Sequence, residues 1–368
     1  MRIKYITCSS WWDTDVTVIP KLAEAFDLHV YCLNLTYVTD KYPHKTVPNG
    51  VQFTNIFQKT KNGDIKSIYD AIRYYIKIYF DHKNEDTIYF VMPTFNCWLF
   101  ILFLLFLPKK RTIFSSHNYI EHGDDKGLLS KLIDFVKRNM YDRFSFFHFY
   151  SKNQLDLFKK DHPEKQAFFT EMPLKDFGEI QATQRQDNDI RLLFFGIIRD
   201  YKRLDWLIEA IKKLNVPNLK VIIAGNATES DKKKYRELIG ESNAFDVHFG
   251  FVDNEDIPRY FSNSDFLVLP YDSATQSGPS LIALNYGIPI IASDVNTFKE
   301  IVMPKKTGYL FKTDSLDSLI RVLREVSSLS REDINKMKAA QLAFKERYNR
   351  ENDLGLKFSQ FVNNTILH

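Results

Sequence analysis

The chain has 368 residues, with 50 Lys and Arg against 46 Asp and Glu, for a formal net charge of +4. So small an excess, with both signs spread along the sequence, excludes a nucleic-acid-binding arm, and the length suffices for two domains that each bury a core. The three cysteines, Cys8, Cys32 and Cys97, are too few and too scattered for a disulfide framework or a zinc knuckle; their apolar neighbours point to buried thiols and a reducing cytosol.

The sequence opens on a strand, RIKYITC, with no charged segment leading into a long apolar core, so no secretory signal is expected. The first half alternates strands near 3–8, 29–34, 52–56, 87–92, 112–115 and 146–150 with helical stretches near 16–26, 65–80, 98–106, 128–140 and 152–160. Alternation of this kind favours a mostly parallel sheet. The most apolar stretch, CWLFILFLLFLP at 97–108, is well short of the ~20 residues that span a bilayer. It reads as a buried helix, with a patch dipping into a membrane as the alternative. Lys131, Lys137, Arg138 and Arg143 accompany Leu132, Ile133, Phe135 and Val136 on one helix and its end: a solvated face, or a basic amphipathic helix on an anionic membrane. HNYIEH, from His117 to His122, lacks the ligand spacing of zinc hydrolases and does not lie on an evident helix, so no metal site is expected.

Periodicity stops over 170–188, a polar stretch with Pro173 and Gly178 that reads as an interdomain connection. It restarts at Ile190 with βα units through Phe311, followed by helical sequence near 314–329 and from 331 to about 361. Two loops carry chemistry. In RLLFFGIIRDYKRLDWLIEA a strand ends at Gly196 and the following loop holds Arg199, Lys202 and Arg203, where open α/β sheets bind ligands. In DFLVLPYDSATQSGPSLIALNYGIPIIAS an apolar strand stops at Pro270, and Ser277, Gly278, Pro279 and Ser280 open a helix whose unpaired N–H groups favour phosphate. Together the two loops suit a diphosphate.

With these residues in view, the chain resembles the retaining, GT-B-fold glycosyltransferases of family 4, also called group 1. The resemblance runs through Gly196 and Lys202, the strand VIIAGNA, VHFGFVDNEDIPRYF, DFLVLP and GIPIIASDVNTFKEIV, five blocks in order over about a third of the chain, and ends with the strand signal TGYLF. It implies an α/β fold of two Rossmann-like, doubly wound domains facing each other across a cleft: 1–170, a linker at 171–188, a nucleotide-sugar-binding domain at 189–349, and a terminal helix at about 350–368 returning to the first domain. It also implies roles. His117, Arg199 and Lys202 are the catalytic candidates. Gly196, Gly225, Asn226, Val252, Glu255, Gln276, Ser277, Gly278, Pro279 and Ser280 are the donor-binding candidates, and Ser10, Trp11, Trp12 and Asp13 form the loop near sugar or acceptor; Asp13 or Asp15 as a helix cap is the plainer reading of that loop.

The family pattern fails at one place. Ala274 and Ile282 stand where it usually carries two glutamates, so the chain looks like a sub-branch with TQSG, and Asp272, Gln276 and Ser277 are the nearby polar substitutes. The implied partners are a nucleoside-diphosphate sugar and a glycan or lipid-linked glycan, with no cofactor, no metal, no nucleic acid, and a cytoplasmic site at the inner membrane face in bacterial surface-polysaccharide assembly. A nucleotide-sugar epimerase of the same fold and a non-catalytic sugar-nucleotide-binding subunit are the alternatives.

Overall fold

The computed structural model describes residues 1–8, 11–35, 50–58, 87–93, 107–116, 119, 128–180, 187–274 and 276–367, with isolated positions at 69, 72, 73, 76, 78, 80 and 104. The chain divides into two compact units, Met1–Pro173 with Asn352–His368, and Leu174–Glu351.

The first unit is built on β1 (Arg2–Cys8), β2 (Asp27–Leu35), β3 (Gln52–Gln58), β4 (Thr87–Val91), β5 (Thr112–Ser116), β6 (Phe146–Phe149) and β7 (Gln166–Phe169), all parallel, in the order β3-β2-β1-β4-β5-β6-β7. Strands β4, β5 and β6 are buried along their whole length, as expected of apolar runs covered on both faces. The helices described with this sheet are α1 (Trp12–Ala23), α2 (Leu128–Arg143), α3 (Lys152–Asp161) and, from the C-terminal end of the chain, α11 (Leu354–Thr365). One core is strongly aromatic: Phe147 meets Phe158 at a ring-centroid distance of 4.7 Å, and Phe114 stacks on Phe144 at 5.7 Å. Helix α11 packs on α1, where a side chain at Gly355 would come within 3.0 Å of the Ala25 Cβ, and its Phe358 ring lies 5.4 Å from Phe26 and 5.2 Å from Phe90. Full burial of a phenylalanine contributes about 1.5–3 kcal/mol, so Phe358 alone is a substantial tether for the terminal helix.

The second unit holds β8 (Ile190–Phe195), β9 (Leu219–Gly225), β10 (Phe245–Phe249), β11 (Phe266–Leu269), β12 (Ile290–Ser293) and β13 (Gly308–Phe311), again parallel, in the order β10-β9-β8-β11-β12-β13. Its helices are α4 (Leu204–Leu214), α5 (Glu229–Ile239), α6 (Ile257–Ser262), α7 (Gly278–Asn285), α8 (Asn296–Ile301), α9 (Leu316–Ser327) and α10 (Arg331–Glu351). Helix α10 is tied down by its cations: Arg331 and Lys338 both reach Asp265, a carboxylate that is 1 % exposed, and Lys345 donates to the Asn285 carbonyl at 2.8 Å.

In both sheets the strand order reverses beside the first strand, between β1 and β4 and between β8 and β11. Loops leaving those strands diverge, and the crevice at their carboxyl ends is where open α/β sheets take ligands.

Two differences from the sequence reading have physical reasons. Strand β7 is an additional strand, short and half-exposed at the sheet edge, so it lacks the apolar alternation that announces the others. The helical stretch from 331 to 361 is two helices, because the Asp353 carboxylate accepts from Leu356 N–H at 2.9 Å and starts α11 afresh. Of the apolar stretch 97–108, the described Leu104 and Leu107 are 0 % and 1 % exposed and belong to the first unit's core. Among the described residues no helix is long and apolar enough to cross a membrane.

Candidate functional site

The second unit's switch point is assembled by β8, β11 and the two loops that leave them. Gly196 ends β8 with φ +102°, and its N–H donates to the Ala224 carbonyl at 2.9 Å. A side chain there would meet the Pro279 ring at 3.4 Å and the Lys202 ammonium at 3.5 Å, so the missing Cβ lets the two loops close on each other. Gly225, at the end of β9, answers the same need from below: a Cβ there would lie 1.9 Å from the Gly196 carbonyl oxygen. Its role as read from this geometry is close backbone packing beneath the loop. Asn226 is exposed and accepts Ile198 N–H on its carbonyl at 2.8 Å.

Beyond Gly196 the chain makes a single 3-10 turn over Asp200–Lys202, followed by Arg203 in the left-handed region at φ +49°. The turn separates three cations into three environments. Arg199 is exposed. Arg203 is engaged, bonding Asp205 at 3.0 Å and Asp272 at 3.3 Å and lying over the Trp206 ring at 4.0 Å. Together with the 2.8 Å bond from Asp272 N–H to the Tyr201 carbonyl, it clamps the β8 loop to the β11 loop. Burial raises the Asp272 carboxyl above its ordinary value while Arg203 opposes the shift.

Lys202 is the exception. It is 7 % exposed, its ammonium lies 5.4 Å from the Tyr271 ring centre, and that ammonium makes no hydrogen bond or ion pair among the described residues. Burial, and next the Arg199 guanidinium, bring its pKa down from 10.5 to about 8. A cation left in this state is costly without an anion, because the charged form is desolvated and unpaired.

The start of a neighbouring helix is the kind of place that takes an anion. Helix α7 starts at Gly278 with Pro279 in its first turn, and the Ser277 hydroxyl caps it by accepting Ser280 N–H at 3.4 Å, while the Ser280 hydroxyl donates back to the Ser277 carbonyl at 2.7 Å. Pro279 has no N–H and those of Ser280 and Leu281 are engaged by Ser277, which leaves the Gly278 N–H of the first turn for a ligand. Gln276 is half-buried just before the cap, and Thr275 lies outside the described residues. Ala274 is pinned through its carbonyl by the Thr297 hydroxyl at 2.8 Å, and Ile282 is 3 % exposed in the packing of α7. Val252 is half-buried and Glu255 exposed, in and before the 3-10 turn leading to α6; the Asp253 side chain makes no cap there.

Sequence reasoning missed Lys175. Its stretch is polar and aperiodic and reads as a connection, yet it belongs to the second unit: Phe177 N–H donates to the Tyr286 hydroxyl at 2.9 Å, and Lys175, 5 % exposed, places its ammonium 3.4 Å from where a Gly278 Cβ would stand. Nothing local announces a residue whose partner is a hundred positions away.

In the first unit, the loop after β1 meets the loop after β4 where Trp11 Nε1–H donates to the Pro93 carbonyl at 2.9 Å. Asp15 is wholly buried and accepts from the Tyr5 and Thr7 hydroxyls, both at 2.6 Å, which makes it an internal anchor between α1 and β1. Ser10, His117 and the Trp12 and Asp13 side chains lie outside the described residues. Among the described residues no cluster of three or more His, Cys, Asp or Glu has the arrangement of a metal site.

Two parallel, doubly wound units of this kind define the GT-B fold of glycosyltransferases. A sucrose-phosphate synthase from Thermosynechococcus elongatus superposes with a TM-score of 0.71 at 12% identity, covering 99% of this chain and 98% of that one. Anabaena HepE, solved with UDP and glucose, gives 0.70 at 13% identity over 100% and 99% of the two chains. In sequence, residues 177–342 match the family described as glycosyl transferases group 1. A GDP-mannose:glycolipid 4-beta-D-mannosyltransferase from Xanthomonas campestris pv. campestris is 30% identical over 133 residues, 35% of this chain and 38% of the relative. The chain thus aligns with well under half the length of that relative.

Proposed function

We propose that the protein is a glycosyltransferase that moves a sugar from a nucleoside-diphosphate sugar to a hydroxyl of a glycan or glycolipid, in surface-polysaccharide assembly at the cytoplasmic face of the membrane. The observation that carries this reading is Lys202, a buried ammonium without a hydrogen-bond partner among the described residues, held beside the open start of α7. The group 1 match and the glycolipid mannosyltransferase relative support the reaction class.

The chemistry follows from charge. As the bond between the anomeric carbon and the phosphate oxygen breaks, its electron pair stays on the leaving diphosphate while the sugar takes on oxocarbenium character. The acceptor hydroxyl oxygen attacks that carbon and gives up its proton. Lys202, Arg199 and the Gly278 N–H are assigned to bind the diphosphate and to stabilise the charge that grows on it. Each charge-assisted hydrogen bond contributes on the order of 1.5–3 kcal/mol. Gln276 and Ser277 are assigned to the phosphate or sugar in place of the two glutamates, and Val252 and Glu255 to the base. His117 and the Ser10–Asp13 loop are assigned to the sugar and acceptor on the family resemblance.

Retention of configuration, with the departing phosphate taking the acceptor proton on the same face and no divalent metal required, is the finer part of the proposal. The experiment is a transfer assay with UDP-, GDP-, dTDP- and ADP-sugars and lipid-linked glycan acceptors, in EDTA, with the anomeric configuration of the product read by NMR. Transfer with retention supports the whole reading. Inversion overturns the stereochemical part, turnover of the donor sugar without acceptor points to an epimerase, and binding without transfer to a non-catalytic subunit.

A further inference from the structure

The half-exposed edge of the first unit carries a pocket that the transfer reading does not use. It holds about 360 Å³, within the ~300–1,000 Å³ of small-molecule sites, and it wraps β7, the edge strand of the sheet. Successive residues of a strand face opposite sides, and Phe168 and Phe169, the last two of β7, accordingly meet different neighbours. Phe168 stacks on Phe361 of α11 at 4.2 Å, whereas Phe169 and Leu155, in the first turn of α3, pack against the aromatic core. These side chains form an apolar floor.

The rim is polar and comes from one helix. Lys357, Gln360 and Asn364 stand at i, i+3 and i+7 of α11, on one face. Gln360 and Asn364 are exposed, and their amides make no hydrogen bond among the described residues. The Lys357 ammonium donates to the Asn352 amide oxygen at 3.0 Å and lies 5.2 Å from the Phe169 ring centre, which leaves further N–H donors for a ligand. No carboxylate is among the described residues that line the pocket. A primary amide donates and accepts at once, as a row of sugar hydroxyls requires, while the C–H face of a sugar ring is apolar and rests on aromatic side chains. An apolar anion would use the floor and the ammonium but neither amide.

We propose that this pocket binds a short stretch of an acidic glycan, with sugar rings on the phenylalanine floor, hydroxyls on Gln360 and Asn364, and a sugar carboxylate on Lys357. The end of β7 and the first turn of α3 set the pocket at the carboxyl end of the sheet, where the loops of the β1–β4 switch point also emerge. Three strand spacings, ~14 Å, separate β7 from β4, a distance that an oligosaccharide spans. A growing acceptor held in the pocket is thereby kept at high local concentration beside those loops. That role rests on the glycosyl-transfer reading given above, whereas the binding itself does not.

The test titrates the full chain calorimetrically with oligosaccharides of galacturonate, glucuronate or mannuronate, with neutral cellotetraose and maltotetraose, and with octanoate. The native protein is compared with Lys357→Met and with the double variant Gln360→Ala, Asn364→Ala, whose exposed side chains are free to be truncated without disturbing the packing of α11. At least one acidic oligosaccharide should bind, and more tightly than the neutral ones. Lys357→Met should erase that preference, and the double variant should weaken binding about tenfold. No binding of any oligosaccharide, binding indifferent to both variants, or binding of octanoate instead overturns the assignment. The same samples are titrated with UDP, GDP, dTDP and ADP: variant-sensitive glycan binding without any diphosphate binding overturns the transfer reading and leaves the pocket standing. In the transfer assay the double variant should raise KM for a long acidic acceptor about tenfold at unchanged kcat, and an unchanged KM overturns the acceptor role.

Discussion

Replacing Lys202 by methionine should make the ligand-free protein more stable and the ligand-bound protein less so. The ammonium is 7 % exposed and its pKa stands near 8 instead of 10.5. A depression of that size corresponds to about 3 kcal/mol of unfavourable free energy for the charged form at neutral pH, at about 1.4 kcal/mol per pKa unit. Because the folded pKa lies below the unfolded one, the unfolded chain binds more protons between pH 8 and 10.5. The penalty is therefore full below pH 8 and disappears as the pH rises toward 10.5. Methionine keeps most of the stem and removes the charge, and it forfeits the contact with the Tyr271 ring, worth about 0.5–2 kcal/mol. The net gain is about 1–2 kcal/mol at pH 7, a rise of several degrees in Tm. The gain should shrink to nothing near pH 10.5, which separates it from the general effect of alkali on both proteins. Nucleoside-diphosphate affinity should fall about ten- to hundredfold in the same variant, through loss of a charge-assisted bond. Thermal melts at pH 7 and pH 10, with and without nucleoside diphosphate, supply all four numbers. A variant less stable than native at pH 7, with unaltered affinity, would refute the reasoning.

Gly225→Ala should be among the most damaging single-methyl changes in the second unit, since the new Cβ would stand 1.9 Å from the Gly196 carbonyl oxygen; we expect a loss of more than about 3 kcal/mol or failure to fold, measured by urea denaturation, and a native-like midpoint would refute the packing role. Ser277→Ala removes the α7 cap and should cost about 1 kcal/mol in the same measurement, with no change counting against the cap. Arg203→Ala should lower diphosphate affinity far less than Lys202→Met, because its guanidinium is committed to Asp205 and Asp272; a loss as large, at unchanged stability, would mean that Arg203 binds the ligand itself. Native diphosphate affinity should weaken as pH rises through about 8, where free Lys202 loses its proton, and Lys202→Met should lose that step; a flat native profile from pH 7 to 10 would contradict the assignment.

Much of the frame was legible because parallel strands buried on both faces are written as short apolar runs. LLFF before Gly196 and FLVL before Pro270 could be placed as strands, and with them the loops where ligands gather. The start of α7 was legible for the same reason: Ser-Gly-Pro is a local signal, and Ser277 does cap the helix. What escaped depends on contacts between distant positions. Lys175 looks like linker sequence until Tyr286 and Gly278 are beside it, and Gly225 looks like one more ligand glycine until the Gly196 carbonyl is found against it. Of the three cations in the β8 loop, only the fold tells that Arg203 is spent on carboxylates while Lys202 is not. Asp15, which the sequence offers as a loop residue or cap, proves to be a buried acceptor for Tyr5 and Thr7, because the first turn of α1 directs it back toward β1. Strand β7 escaped because an edge strand can be half-exposed and needs no apolar run.

The central claim, that the crevice between β8 and β11 is a diphosphate site in which Lys202 meets the start of α7, is tested most directly by calorimetric titration of the native chain at pH 7 with UDP, GDP, dTDP and ADP and the matching monophosphates. At least one diphosphate should bind, about tenfold or more tightly than its own monophosphate, and Lys202→Met should erase most of that difference. Equal affinity for mono- and diphosphates, or a difference that survives Lys202→Met, would contradict it.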